Sequence, residues 1–325
     1  MSGILLVAVL AVPALGAAIV ALIPARLDRA ARVVAAAVAG VTFVFAALLA
    51  VSRDGGSGRP WAQLRVSWVP ALHLDFHLGV DGVSYPLIVL TGLLTLLCCG
   101  YTVWHVPDGG RGRTLASLLL AIEVGILGTF LAFDLVLFFV FFEVVLLPMY
   151  AVIAGWGGPE RRAAARKFVL YTLFGSVLLL LGVFTVVAAA GTGDLTALAG
   201  GHGLSRTVQY TAFALFAVAF AVKAPLWPLH TWLPDAHTEA PTVGSVILAG
   251  VLLKMGTYGL IRVGVGVAPL GAAWASPVLG ILATAAIDWL SARVWRSKVS
   301  WPVALRWRKT TVRMPTSIRA DPSIV

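Results

Sequence analysis

Charge is what this sequence has least of. Only 12% of its 325 residues are Asp, Glu, Lys or Arg, against 60% apolar, and the mean hydropathy is +0.95. A soluble domain carries about a quarter charged residues, so such a fold is excluded. Cysteine is nearly absent too: Cys98 and Cys99 are the only two, adjacent and inside an apolar run. That suits packing and excludes a zinc site or a disulfide framework. No glycine-rich phosphate loop, nucleophile motif or Cys cluster occurs, so the chain itself handles neither nucleotides nor electrons. No Lys or Arg precedes the first apolar run. It therefore lacks the basic leader of a secretory signal and is expected to stay in the mature protein.

What the chain has instead is long apolar runs. Roughly 20 apolar residues span the hydrocarbon layer as a helix, and low-charge stretches of that order occur about nine times: 4–23, 30–51, 82–104, 114–133, 135–154, 168–190, 210–229, 242–265 and 276–291, the last of them short. The sequence thus predicts an all-α, polytopic transmembrane helix bundle. Arg26, Arg29 and Arg32 follow the first span, Arg111 and Arg113 precede the fourth, and Arg161, Arg162, Arg166 and Lys167 separate the fifth from the sixth. By the positive-inside rule these loops are cytoplasmic and the N-terminus extracytoplasmic. Of the net +10, the stretch from Arg293 to the end contributes +7, eight Lys or Arg against Asp321. A basic tail without apolar periodicity points to anionic lipid or solvation, not to nucleic acid.

Residues 52–81 are rich in Gly, Pro and charge, and the alternation His73-Leu74-Asp75-Phe76-His77-Leu78 predicts a small extracytoplasmic hairpin. Asp134 alone separates spans four and five, which predicts a tight helical hairpin. The seventh span is interrupted by Pro225, Pro228 and Pro234. Proline removes a backbone donor and clashes with the preceding turn, so this helix must break. Broken backbone survives at membrane depth only where protein or water covers it, and transporters place their sites there.

Four ionisable side chains lie well inside the spans: Glu123, Glu143, Lys223 and Lys254. Each costs roughly 2.5 to 3.5 kcal/mol at a helix centre, so four isolated charges would cost on the order of 10 to 14 kcal/mol. Such groups must be paired, neutral or hydrated. Two carboxylates and two amines at one depth meet that need and keep proton exchange accessible, since desolvation disfavours the charged form of either type. A plain Glu143–Lys223 ion pair with Lys254 snorkelling to an interface is the simpler account of any one charge. Four at similar depth fit a proton relay better. His230, Asp235, His237 and Glu239 follow the break, but their spacing matches no compact ligand pattern, and a polar-capped loop explains them more simply than a metal.

The run Lys223-Ala224-Pro225-Leu226-Trp227-Pro228-Leu229-His230-Thr231-Trp232-Leu233-Pro234-Asp235-Ala236-His237-Thr238-Glu239-Ala240-Pro241-Thr242, continuing to Leu253-Lys254, resembles chain M of respiratory complex I, the proton-translocating NADH-quinone oxidoreductase. So do Phe142-Glu143, Leu147-Pro148-Met149 and Leu78-Gly79-Val80-Asp81-Gly82-Val83-Ser84. The likeness covers roughly residues 1–285. Chains L and N and the multisubunit sodium/proton antiporters share the broken helix and its Lys, while His237 to Thr242 favours M. The resemblance implies that Glu143 and Lys223 form a coupled pair whose contact opens and closes, that Lys254 is the next relay station, that Glu123 belongs to the relay, and that His230 is a polar neighbour in the hydrated line. It also implies that NADH, flavin, iron–sulfur clusters and quinone sit in partner subunits, with none bound by this chain. The implied partners are the other membrane-arm subunits and the bilayer, with no nucleic acid, and the implied location is the cell inner membrane.

On this reading 1–113 holds three helices and the extracytoplasmic loop, 114–265 the first inverted repeat of the antiporter-like fold, and 266–325 a partial ninth helix and a basic tail. Family members carry two inverted repeats, whereas after about Thr284 this chain turns to Asp288-Trp289-Leu290 and a basic, Trp-rich stretch to Val325. That change predicts truncation or a shifted frame in the second repeat. Two other functions remain open at this point: a sodium/proton antiporter subunit using the same residues, and a non-conducting scaffold.

Overall fold

A computed structural model describes residues 2–52, 60–69, 74–107 and 109–299. It divides into two compact units, Met1–Pro277 and Val278–Val325. In the first, α1 (Ser2–Leu22) stops before Pro24, whose ψ of 144° ends helical geometry, and α2 (Asp28–Leu48) returns. At spacings of three and four, α2 carries a stripe of small, buried residues: Ala31, Ala35, Ala39, Thr42 and Ala46. Such a stripe lets backbones approach where lipid offers no hydrophobic drive.

The expected hairpin is present, with β1 (Ala62–Val69) antiparallel to β2 (Leu74–Val80) and Leu64 opposite Leu78. His73 lies outside the described residues. β2 leads into α3 (Ser84–Trp104), whose start is closed reciprocally: Asp81 Oδ1 accepts from the Ser84 amide at 2.9 Å while Ser84 Oγ accepts from the Asp81 amide at 3.1 Å.

The tight turn between α4 (Gly112–Leu131) and α5 (Leu135–Val144) depends on Asp134, whose Oδ1 accepts from the Val136 and Leu137 amides at 2.8 and 3.1 Å. Ala132 bridges to Leu78 and Asp134 to Asp194, so the turn is pinned to the hairpin and to the loop after α7.

The fifth span proves divided. Val145 separates α5 from α6 (Leu146–Trp156), because Pro148 has no N–H to offer the Val144 carbonyl. α7 (Arg161–Ala190) starts seven residues before the apolar run at 168, since helical backbone does not require apolar side chains. α8 (Arg206–Lys223) ends early, as the prolines demand, and α9 (Trp232–Glu239) resumes after a turn. The eighth span is α10 (Thr242–Ile247), a π segment Leu248–Leu252, α11 (Leu253–Gly259) and a second π segment Leu260–Val265. α12 runs Pro269–Val299; the Asp288-Trp289-Leu290 side chains and 300–325 lie outside the described residues.

Among the described residues seven helices are long and apolar enough to cross a membrane. The remaining two of the nine runs are helical but less favourable. One is α8, 18 residues with Arg206 and Lys223 at its ends, and the other is the shorter apolar helix Pro269–Ala285. α4 packs on α1, α2 and α3 as well as on α5, so the helices of 1–113 and 114–265 share one core.

The basic loops gather on one face. The Arg113 amide donates to Asp28 Oδ1 at 2.7 Å, Arg32 Nη1 to the Val103 carbonyl at 3.0 Å, and Trp156 Nε1 to the Gly110 carbonyl at 2.6 Å. The hairpin and the Asp134 and Asp194 loops form the opposite face.

Candidate functional site

The break after Lys223 is built by a displaced hydrogen-bond ladder. Pro225 cannot donate to the Ala221 carbonyl, so the Leu226 amide takes it instead at 2.8 Å. The Val222 carbonyl is then left over, and the buried Trp232 indole N–H, reaching back from α9, donates to it at 2.9 Å. The Ala221 and Val222 carbonyls that the proline would have orphaned are thus both answered, as lipid depth requires. α11 seals the same place: a Cβ on Gly256 would stand 2.6 Å from the Ala224 nitrogen and 3.0 Å from the Lys223 carbonyl carbon, so only glycine fits.

Lys223 is 3% exposed, and its Nζ stands 4.7 Å from the centre of the Phe142 ring. A cation over an aromatic face is stabilised by about 2 kcal/mol when desolvated. Glu143 follows Phe142 in the last turn of α5, beside the Pro148 break. Gly125 of α4 approaches it closely, a Cβ there lying 3.1 Å from the Phe141 oxygen and the Val145 nitrogen. Glu143 and Lys223 make no ion pair within 4.0 Å among the described residues. Glu143 Oε1 instead bonds Ser176 Oγ of α7, and the same hydroxyl lies 2.9 Å from the Thr172 carbonyl. The Ser176 hydroxyl donates to Glu143 and is shared with the Thr172 carbonyl, a three-centre bond that ties the carboxyl of Glu143 to α7.

The other site residues are placed differently. Glu123 of α4 is completely buried, and neither carboxylate oxygen has a partner among the described residues; a carboxyl at that depth has to be neutral or hydrated. His230 lies half-buried in the turn between α8 and α9. Lys254 is exposed on the outside of the bundle, between the two π segments, and its Nζ donates to the Ala249 carbonyl at 2.7 Å. The fold therefore brings Glu143 and Lys223 together around Phe142, and leaves Glu123 inside α4 and Lys254 outside. Asp235 is taken by Lys167 at 2.7 Å and Glu239 by the Glu160 amide at 2.9 Å.

From sequence, Phe142 and Pro148 carry the family resemblance but no role of their own, and Ser176 and Gly256 carry neither. Pro148 was a readable signal for a break beside Glu143; the other three depend on which helix is the neighbour. Sequence reasoning also left out Arg262, a further charge within Thr242–Val265. Arg262 pairs with Asp81 at 2.5 Å and stacks 4.1 Å from the Phe133 ring, beside a cavity of about 400 Å3 on the hairpin face. Burial pushes the Asp81 carboxyl up, but the Arg262 charge and the Ser84 and Val83 amides outweigh it and hold the group below the ordinary range. Nearby, Asp194 contacts Arg65 at 2.9 Å and His77 at 3.4 Å. Burial works against its ionisation, yet His77 and Thr196 keep it well below the usual carboxylate value. Asp134 is shifted the other way, raised by burial and by Asp194 against its two amide bonds, and its Oδ2 is buried with no partner among the described residues.

Residues 132–289, which hold Glu143, Lys223, His230 and Lys254, match the family described as NADH:quinone oxidoreductase/Mrp antiporter, transmembrane. The chain belongs to that family. It is 42% identical over 277 residues to NADH-quinone oxidoreductase subunit M of Rhodobacter capsulatus, covering 81% of this chain and 53% of that one. Its fold matches a chain of respiratory complex I from Thermus thermophilus with bound NADH, with a TM-score of 0.73 and 31% identity, over 86% of this chain and 56% of that one. A chain of the Mrp complex from Dietzia shares the fold, with a TM-score of 0.68 and 23% identity, over 81% of this chain and 29% of that one. The chain spans about half the length of the curated family members it matches. As a family member it is a multi-span, mostly helical membrane protein of the antiporter-like type.

Proposed function

We propose that this chain carries protons across the membrane as an antiporter-like subunit in the membrane arm of a proton-pumping NADH:quinone oxidoreductase. The observation that carries the reading is Lys223, buried at a helix break, held over Phe142 and out of contact with the carboxylate of Glu143. That separation suits a pair that closes and reopens. A charge change arriving from a neighbouring subunit draws Glu143 from Ser176 toward Lys223 or releases it. The altered field changes how firmly Lys223 holds its proton, which passes along water to Lys254. The exposure of Lys254 supports a relay that continues beyond this bundle, with Glu123 and His230 as further stations in the hydrated line.

On this proposal NADH, flavin, iron–sulfur clusters and quinone belong to partner subunits, and the chain alone catalyses no redox step. The membrane is the cell inner membrane and the N-terminus lies outside, as the gathering of the basic loops on one face supports. Replacing Glu143 by Gln tests the mechanism in membrane vesicles of the assembled complex. NADH oxidation is expected to persist while the coupled proton uptake is lost. Unchanged proton uptake in Glu143→Gln would rule the mechanism out. Copurification with antiporter chains, in place of NADH dehydrogenase chains, would instead assign the chain to the sodium/proton antiporter side of the family.

A further inference from the structure

One feature of the basic face serves neither the break nor the Glu143 site. Around the loop before α7 lies a cavity of about 550 Å3 lined by Arg161, Arg162 and Arg166. Arg161 Nη1 is engaged, donating to the Gly157 carbonyl at 3.1 Å. Lys167, on another side of the helix, is taken by Asp235. Arg162 and Arg166 are exposed and have neither an ion pair nor a hydrogen bond among the described residues. The helix start itself is already occupied, since Glu239 Oε2 accepts from the Glu160 amide, so any anion here is held by guanidinium groups and not by the N-terminal amides. Glu160 on the rim leaves the group net positive.

The same helical face continues as an apolar stripe. Leu170 (67% exposed), Leu173, Phe174, Val177, Leu181 and Phe184 (62%) follow Arg162 and Arg166 at spacings of three and four. At 1.5 Å per residue the run from Arg166 to Phe184 is about 27 Å long, close to the ~30 Å thickness of the hydrocarbon layer. Two unpaired guanidinium groups at one end of the stripe complement the charge of an anionic headgroup, and the part nearest them, about 16 Å from Arg166 to Val177, matches the ~15 Å of acyl chain in one leaflet, half the hydrocarbon layer.

We propose that Arg162 and Arg166 bind the phosphate of an anionic phospholipid on the basic face of the membrane, with its acyl chains lying along the Leu170–Val177 half of the α7 stripe. Charge decides for a lipid over a partner helix: a helix seated on the stripe would have to bring an acid to the depth of both arginines, whereas an anionic headgroup is there already. Arginine suits this phosphate because its planar fork donates two parallel hydrogen bonds.

The test uses the full chain, purified and freed of lipid in detergent, with bound phosphatidylglycerol and phosphatidylcholine counted by native mass spectrometry. The wild type is expected to prefer phosphatidylglycerol. Replacing both arginines by Gln should lower that preference roughly thirtyfold, taking an ordinary interfacial contribution for each cation, and R162K/R166K should retain most of it. Equal binding of the two lipids by the wild type overturns the proposal, and that comparison stands whether or not the Gln variant folds. So does an unchanged preference in a Gln variant whose melting temperature matches the wild type. Displacement of phosphatidylglycerol by millimolar inorganic phosphate would make this a free-anion site. A photo-crosslinker at Leu173 that captures protein instead of lipid in native membranes would assign the stripe to a subunit contact. Either result defeats the lipid assignment.

Discussion

Gly256 offers a way to move Lys223 without touching its charge. A methyl group there would meet the Ala224 nitrogen at 2.6 Å, the Ala224 Cβ at 2.9 Å and the Lys223 carbonyl carbon at 3.0 Å. Two of these are backbone atoms and cannot swing aside. Ordinary contact begins near 3.4 Å, so α11 and the end of α8 must part by about 0.8 Å in Gly256→Ala. Overpacking of this kind costs about 1 to 3 kcal/mol of stability. A displacement approaching 1 Å at a reacting group can cost about a hundredfold in rate. Proton uptake by vesicles carrying the assembled complex should therefore fall at least about tenfold, more steeply than the drop in melting temperature alone would explain. Gly264→Ala is the control, because its nearest neighbour is Leu260 Cδ1 at 3.3 Å, the far end of a flexible side chain. Wild-type proton uptake in Gly256→Ala would refute the claim that the spacing of α8 and α11 sets the relay.

Three other substitutions probe the supports of the site. Trp232→Phe removes the indole donor and leaves the Val222 carbonyl unpaired beside Lys223, which should cost about 1 to 3 kcal/mol and appear as a lower melting temperature in detergent. Asp81 has a carboxyl held below its ordinary value, so its stabilisation is complete above the unfolded value near pH 4 and is lost as pH falls through the lower folded value. Asp81→Asn should accordingly melt lower at neutral pH and show a flatter acid limb in a pH series of melting curves. Asp134 has the opposite sign: its raised carboxyl contributes fully below the unfolded value and loses that contribution as pH rises through the folded one. Asn keeps an oxygen for the α5 cap and removes the charge facing Asp194, so Asp134→Asn should raise the melting temperature at neutral pH, with the gain shrinking in acid.

Much of the candidate site was readable as depth along a helix. Rise per residue is constant, so counting from the span ends puts Glu123, Glu143 and Lys254 at midplane, and Pro225 stops α8 beside Lys223 whatever surrounds it. The hairpin could be read for a similar reason, since alternation of polar and apolar residues is a local property. Pro148 carried the same kind of information about Glu143 but stood in a run apolar enough to look continuous. The π segments on either side of Lys254 carried no such mark, because a π turn arises from how a helix is gripped by its neighbours.

Sequence by itself thus determined the membrane as solvent, the approximate spans, the broken helix and the depth of each ionisable group, because burial in lipid and the missing proline donor act on single residues and their near neighbours. Only the tertiary structure decided what each of those groups faces. Glu143 meets Ser176, Lys223 rests on Phe142, Asp81 reaches Arg262 across 181 positions, and Lys254 stands outside the bundle. Rotation about a helix axis and the choice of neighbouring helix follow from the packing of many side chains at once, and no local stretch of sequence contains that sum.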